Sequence, residues 1–89
     1  MSETEVVIAN RLGLHARAAA RFVHVANRFE SSISVIKDGS KVDGKSILGL
    51  LTLAAAKGTR LRLTAEGSDE EEALEELGTL VRTCFGEET

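Results

Sequence analysis

Hydrophobic and polar positions follow two rhythms along this chain, and each change of rhythm marks a change of element. Glu3 to Ala9, with Val6, Val7 and Ile8, predicts a first strand, and Asn10 to Leu14 the loop that leaves it. From Ala16 to Phe29 the period is helical. Ala19, Phe22, Ala26 and Phe29 form an apolar stripe, and Arg17, Arg21, His24 and Arg28 a polar one. Ser32 to Lys37 alternates again, with Ile33 and Val35 on one face, and Asp38-Gly39 supplies the two-residue turn of a hairpin into Ser40 to Asp43. Ser46 to Ala55 predicts a short, mostly apolar helix with Ser46 as its N-cap and Gly58 as its stop. Arg60 to Glu66 alternates with Leu61, Leu63 and Ala65 inward. The last helix starts with Ser68 or Asp69 as cap and a glutamate three residues on, and buries Ala73, Leu74, Leu77, Leu80, Val81 and Cys84.

The order β-α-β-β-α-β-α predicts an α+β fold, a four-stranded antiparallel sheet covered on one face by three helices. A chain of 89 residues suffices for a single domain, 1–89, with a modest core. A ferredoxin-like sensing domain shares most of this order, so topology does not decide function.

Charge changes the picture more than composition does. Residues 1–65 carry ten basic and five acidic side chains, whereas residues 66–89 carry one basic and nine acidic, within a net charge of -3. A basic body could attract nucleic acid, but the three Phe, with no Trp or Tyr, offer almost nothing for bases to stack on. An acidic protein partner is the better expectation. No stretch approaches the length of a membrane span, no signal-peptide pattern opens the chain, and the single cysteine fits a reducing compartment. Those features predict a cytoplasmic monomer. Two histidines and one cysteine lack ligand spacing, so no metal is expected, and no cofactor either. Cys84 reads as a packing residue.

The candidate chemistry sits where the first helix begins. Gly13-Leu14-His15-Ala16-Arg17 sets an imidazole beside the unpaired N–H groups of Ala16 and Arg17, at the positive end of the helix. Arg17 adds a planar, permanently charged fork. A neutral imidazole is a nucleophile near cytosolic pH, so His15 can carry a phosphoryl group that those donors steady without trapping it. His24, farther along the polar face, reads as a rim or plain surface residue. If Leu50 and Leu53 of the short helix point inward, Ile47, Leu48 and Leu51 face solvent and mark a docking patch, with Ala20, Arg21 and His24 beside it.

Gly13-Leu14-His15-Ala16-Arg17 and Gly44-Lys45-Ser46-Ile47-Leu48 together resemble the HPr family, the histidine-containing phosphocarriers of the bacterial phosphotransferase system. The likeness runs from the first strand to the last helix. It implies an open-faced β-sandwich, phosphorylation of a His15 ring nitrogen by enzyme I using phosphoenolpyruvate, and onward transfer to an enzyme IIA domain, with no turnover by the carrier itself. It also implies regulatory phosphorylation of Ser46 by an HPr kinase/phosphorylase where one exists, beside the hydroxyl's ordinary capping role. Ala18 stands where the family commonly has proline; alanine is an excellent helix former, so the expected loss is slight. A regulatory HPr-like protein, acting through Ser46-phosphorylated binding to a transcription regulator, is the related alternative, and it would have no need of His15.

Overall fold

The structure is a computed structural model that describes residues 1–87. It contains β1 (Ser2–Val7), α1 (Ala16–Ala26), β2 (Ser32–Lys37), β3 (Ser40–Asp43), α2 (Ile47–Thr52), β4 (Arg60–Glu66) and α3 (Glu70–Arg82), followed by a 3-10 turn at Cys84–Gly86. The four strands form one antiparallel sheet in the order β1-β4-β2-β3. The expected order and layering hold, giving an open sheet with all three helices on one face. No helix among the described residues is long and apolar enough to cross a membrane.

Register explains why one face is apolar. Val6 pairs with Leu61, Val35 with Leu63 and Ile33 with Ala65, so these side chains line a single side of the sheet. Ala18, Ala19, Phe22 and Ala26 of α1, Leu50 of α2 and Ala73, Leu74, Leu77 and Val81 of α3 close over them. On the open face Glu5 opposes Arg62, a favourable cross-strand charge pair. Asp38 and Gly39 both take positive φ, 48° and 84°, as the tight hairpin turn requires.

Element ends depart from expectation, each for a tertiary reason. β1 runs Ser2–Val7 rather than Glu3 to Ala9, although Ile8 still pairs with the Gly58–Thr59 segment through two backbone hydrogen bonds. α1 stops at Ala26 instead of Phe29. The N–H groups of Arg28 and Phe29 bond three residues back, while those of Glu30 and Ser31 donate to the Asp69 carboxylate at 3.0 Å each. Phe29 nevertheless remains buried. α2 stops at Thr52 rather than Ala55, because Ala54 takes φ 50° and turns the Ala55 carbonyl onto the Leu14 N–H, 2.8 Å away. At the start of α3, Asp69 occupies the cap position but makes no cap bond. Glu70 Oε1 instead accepts from Gly67 N–H, one or two residues back from the expected capping pair. α3 ends before Cys84, which is only half-buried in the following turn, and Phe85 takes the core position. Leu80 is likewise only partly buried.

Asp69 and Glu70 tie the α3 start to other elements. The Ser31 hydroxyl, then the Glu30 N–H, hold the Asp69 carboxyl below the usual aspartate range against the opposing effect of burial. Glu70 is lowered chiefly by the Ser2 hydroxyl, with the Gly67 N–H helping. A carboxyl lowered on folding contributes stability that is complete above the ordinary carboxylate range and lost as pH falls through the lowered folded value. Thermal unfolding followed by circular dichroism should therefore show melting temperature falling on acidification below that range. Asp69→Asn should lower it at neutral pH and flatten the acid limb; an unchanged limb would remove Asp69 from this role.

Candidate functional site

The loop before α1 is held at three points. Gly13 N–H bonds Asn10 O at 3.2 Å, Leu14 N–H bonds Ala55 O at 2.8 Å, and the buried Asn10 side chain donates from Nδ2 to Gly13 O at 2.8 Å. The chain thus enters α1 with His15 as the N-cap residue, in extended backbone with φ -79° and ψ 179°. Its side chain makes no cap bond, while its carbonyl accepts the first intrahelical bond, from Ala19 N–H. The N–H groups of Ala16 and Arg17 precede that bond, so helix geometry leaves both without an intrahelical acceptor. The imidazole is 26% exposed, neither entombed nor remote from the helix start.

A carboxylate that no local sequence pattern marks lies on the ring. Glu87 Oε2 lies 2.5 Å from His15 Nε2, and Glu87 Oε1 accepts from Asn10 Nδ2 at 2.9 Å. The Asn10 amide can stand only this way round, because both neighbours of its Nδ2 are acceptors. Its Oδ1 is buried and meets no donor among the described residues. Burial pushes the Glu87 carboxyl up, but hydrogen bonds from Asn10 and His15, together with the charges of His15 and Arg21, outweigh it. The net effect holds this carboxyl below the usual glutamate range.

Glu87 reaches the ring because the chain reverses sharply after α3. Cys84 and Phe85 both take left-handed backbone, φ 60° and 54°. Phe85 is buried, and Arg21 Nη1 donates to its carbonyl at 2.5 Å. Two successive non-glycine residues with positive φ are costly, and the buried phenyl ring and the arginine bond hold them there. An asparagine three residues before a glycine hints at the turn around Asn10, but nothing local marks Glu87 among its acidic neighbours.

The remaining predicted residues fall into two exposed groups around His15. Arg17 is exposed and has no ion-pair partner among the described residues. With Ala20, Arg21, His24, Val25 and Leu80 it lines a shallow groove beside α1, which explains why Leu80 is not fully buried. Leu50 of α2 and Leu53 at its C-cap are both buried, which meets the condition for the docking patch and leaves Ile47, Leu48 and Leu51 42%, 76% and 36% exposed. Ser46 caps that helix, its Oγ accepting from Gly49 N–H at 3.0 Å.

Known proteins resemble this chain in both sequence and shape. The family model described as the PTS HPr component phosphorylation site matches residues 2–83. A phosphocarrier protein HPr of Neisseria meningitidis serogroup A is 48% identical over 87 residues, covering 98% of each chain. The crystal structure of HPr-C-His from Thermoanaerobacter tengcongensis superposes with TM-score 0.96 at 48% identity, covering both chains completely. The Bacillus subtilis catabolite repression protein Crh, whose crystal structure is a dimer with a swapped domain, is 48% identical with TM-score 0.77, covering 94% of this chain and 97% of its own.

Proposed function

Because the chain belongs to the HPr family of phosphocarrier proteins, we propose that His15 accepts a phosphoryl group from enzyme I, which draws it from phosphoenolpyruvate, and passes it to an enzyme IIA domain. The observation that carries this reading is an accessible imidazole at the N-cap of α1, beside the unpaired N–H groups of Ala16 and Arg17. A ring nitrogen attacks phosphorus as the bond to the donor breaks. The arriving negative charge meets the helix N-terminus and the Arg17 guanidinium. Phosphoryl transfer needs positioning and charge stabilisation more than covalent help, so a surface cradle suffices and the phosphoramidate stays transferable. The chain acts in the cytoplasm as a single-domain phosphorylated intermediate without turnover of its own. It works as a monomer. Incubating the full chain with enzyme I and phosphoenolpyruvate should yield an acid-labile, base-stable phosphate; no uptake would overturn the reading.

Partners dock on α2 and the adjoining face of α1, through Ile47, Leu48 and Leu51 with Ala20, Arg21 and His24 at the side. An exposed apolar cluster on α2, next to a helix α1 that exposes Arg17, Arg21 and His24, suits an acidic partner with an apolar centre. Leu48 is exposed, so Leu48→Asp should leave the melting temperature nearly unchanged while lowering the rate of transfer from enzyme I by about tenfold, the loss of one interface anchor. A collapse in stability would instead make Leu48 a core residue. Ser46 phosphorylation by an HPr kinase/phosphorylase would add nearly two negative charges at the edge of this patch, on a helix start that tolerates them. Ser46→Asp should therefore slow transfer in the same assay, and unchanged kinetics would remove the proposed repulsion.

A further inference from the structure

The geometry points to Glu87 as a positioning residue for chemistry at His15: its carboxylate holds the proton on Nε2, leaves Nδ1 as the attacking nitrogen, and balances the ring's charge while the phosphoryl group is bound. The inference rests on His15 being the carrier. An ionised carboxylate only accepts hydrogen bonds, so at 2.5 Å from Glu87 Oε2 the ring's Nε2 must donate, and in the neutral ring the lone pair then lies on Nδ1.

The contact is built, not incidental. Glu87 is fixed from its other oxygen by the buried Asn10 amide, and its backbone is delivered by a turn with two left-handed non-glycine residues, the buried Phe85 ring and the Arg21 bond to Phe85 O. Side chains of His15 and Glu87 are only 26% and 14% exposed, so the pair is less screened than an ordinary surface contact. Backbone strain clusters at functional sites, and here it lies in the turn that delivers Glu87 to the ring.

The electron count assigns Glu87 its part in both directions of transfer. The Nδ1 lone pair forms the N–P bond, and the bond between phosphorus and the donor group of enzyme I breaks, its electron pair returning to that group. Nε2 keeps its proton, so the phosphorylated ring carries a positive charge next to the Glu87 carboxylate, as a buried carboxylate does for an imidazolium in hydrolytic triads. When the phosphoryl group moves on, the N–P electron pair returns to Nδ1 and the ring is neutral again with its proton still on Nε2. Glu87 accepts no proton at any stage.

The test compares the full-length wild type with Glu87→Gln and Glu87→Ala. Nitrogen-15 NMR of the His15 ring, recorded without phosphate, should show the Nε2–H tautomer dominant in wild type and mixed tautomers in Glu87→Ala. In exchange with enzyme I, the equilibrium constant for phosphorylation should fall up to about fivefold in both variants, the size expected for one partly screened charge pair. Glu87→Gln, which keeps an acceptor but not the charge, should retain more of the tautomer preference than Glu87→Ala. An unchanged tautomer ratio in Glu87→Ala, or phosphorylation equal to or above wild type in the variants, overturns the inference. Failure of wild type itself to take phosphate overturns the carrier reading instead, and the ring spectra remain readable in that case.

Discussion

His15→Ala is expected to abolish the acid-labile phosphate formed with enzyme I and phosphoenolpyruvate, while leaving the circular dichroism spectrum and the cooperative melt intact. The two halves of that outcome have separate causes. Chemistry is lost completely because the substitution removes the lone pair, and no neighbouring group replaces it. His24 lies in the exposed groove along α1, so His24→Ala should keep the label. The fold survives because the His15 imidazole belongs to no apolar cluster, and the backbone contacts that set the loop, Gly13 N–H to Asn10 O and Leu14 N–H to Ala55 O, do not involve its side chain. Arg17→Ala should retain the label but slow its arrival about tenfold, the value of one charge-assisted hydrogen bond near the low end of its range. Label retained on His15→Ala would move the acceptor elsewhere and dismantle the site.

What could be read from the chain divides along a physical line. Periodicity placed every strand and helix, because inward positions such as Ile33, Val35, Leu61 and Leu63 repeat at intervals that local geometry imposes. The His15 end of the site was equally legible, since a glycine, a helix start and an arginine within five residues are local facts. Element ends were not. α1 stops where Asp69, 39 positions beyond Glu30, takes the next N–H groups, and α2 stops where Ala55 O is needed by Leu14. Cys84 has the spacing of a buried helical stripe, yet two left-handed residues break the helix and put Phe85 inside instead. The same break carries Glu87 to a ring 72 positions away, a pairing that no local pattern encodes.

The loop that presents His15 depends on a residue without a side chain, and Gly13→Ala is expected to lower the melting temperature by more than about 10 °C and to reduce phosphate uptake with it. Gly13 has φ +69°, a conformation that costs alanine about 1–2 kcal/mol. A Cβ there would stand 2.5 Å from Ala55 O, a backbone atom already engaged by Leu14 N–H, so neither can yield without shifting the α2 exit or the α1 entry. Overpacking of that kind costs about 1–3 kcal/mol more. Together the two effects reach about 2–5 kcal/mol, a large share of the stability of a small domain, and each kcal/mol moves the melt by about 4–8 °C at this size. Gly39→Ala separates the contributions, because Gly39 has φ +84° but nothing within 4 Å of the added Cβ. That variant should lose only the conformational part and keep full phosphate uptake, since the hairpin turn lies outside the loop that sets His15. Equal losses in the two glycine variants would mean that the Ala55 carbonyl does not constrain the loop, and that His15 is positioned by the helix alone.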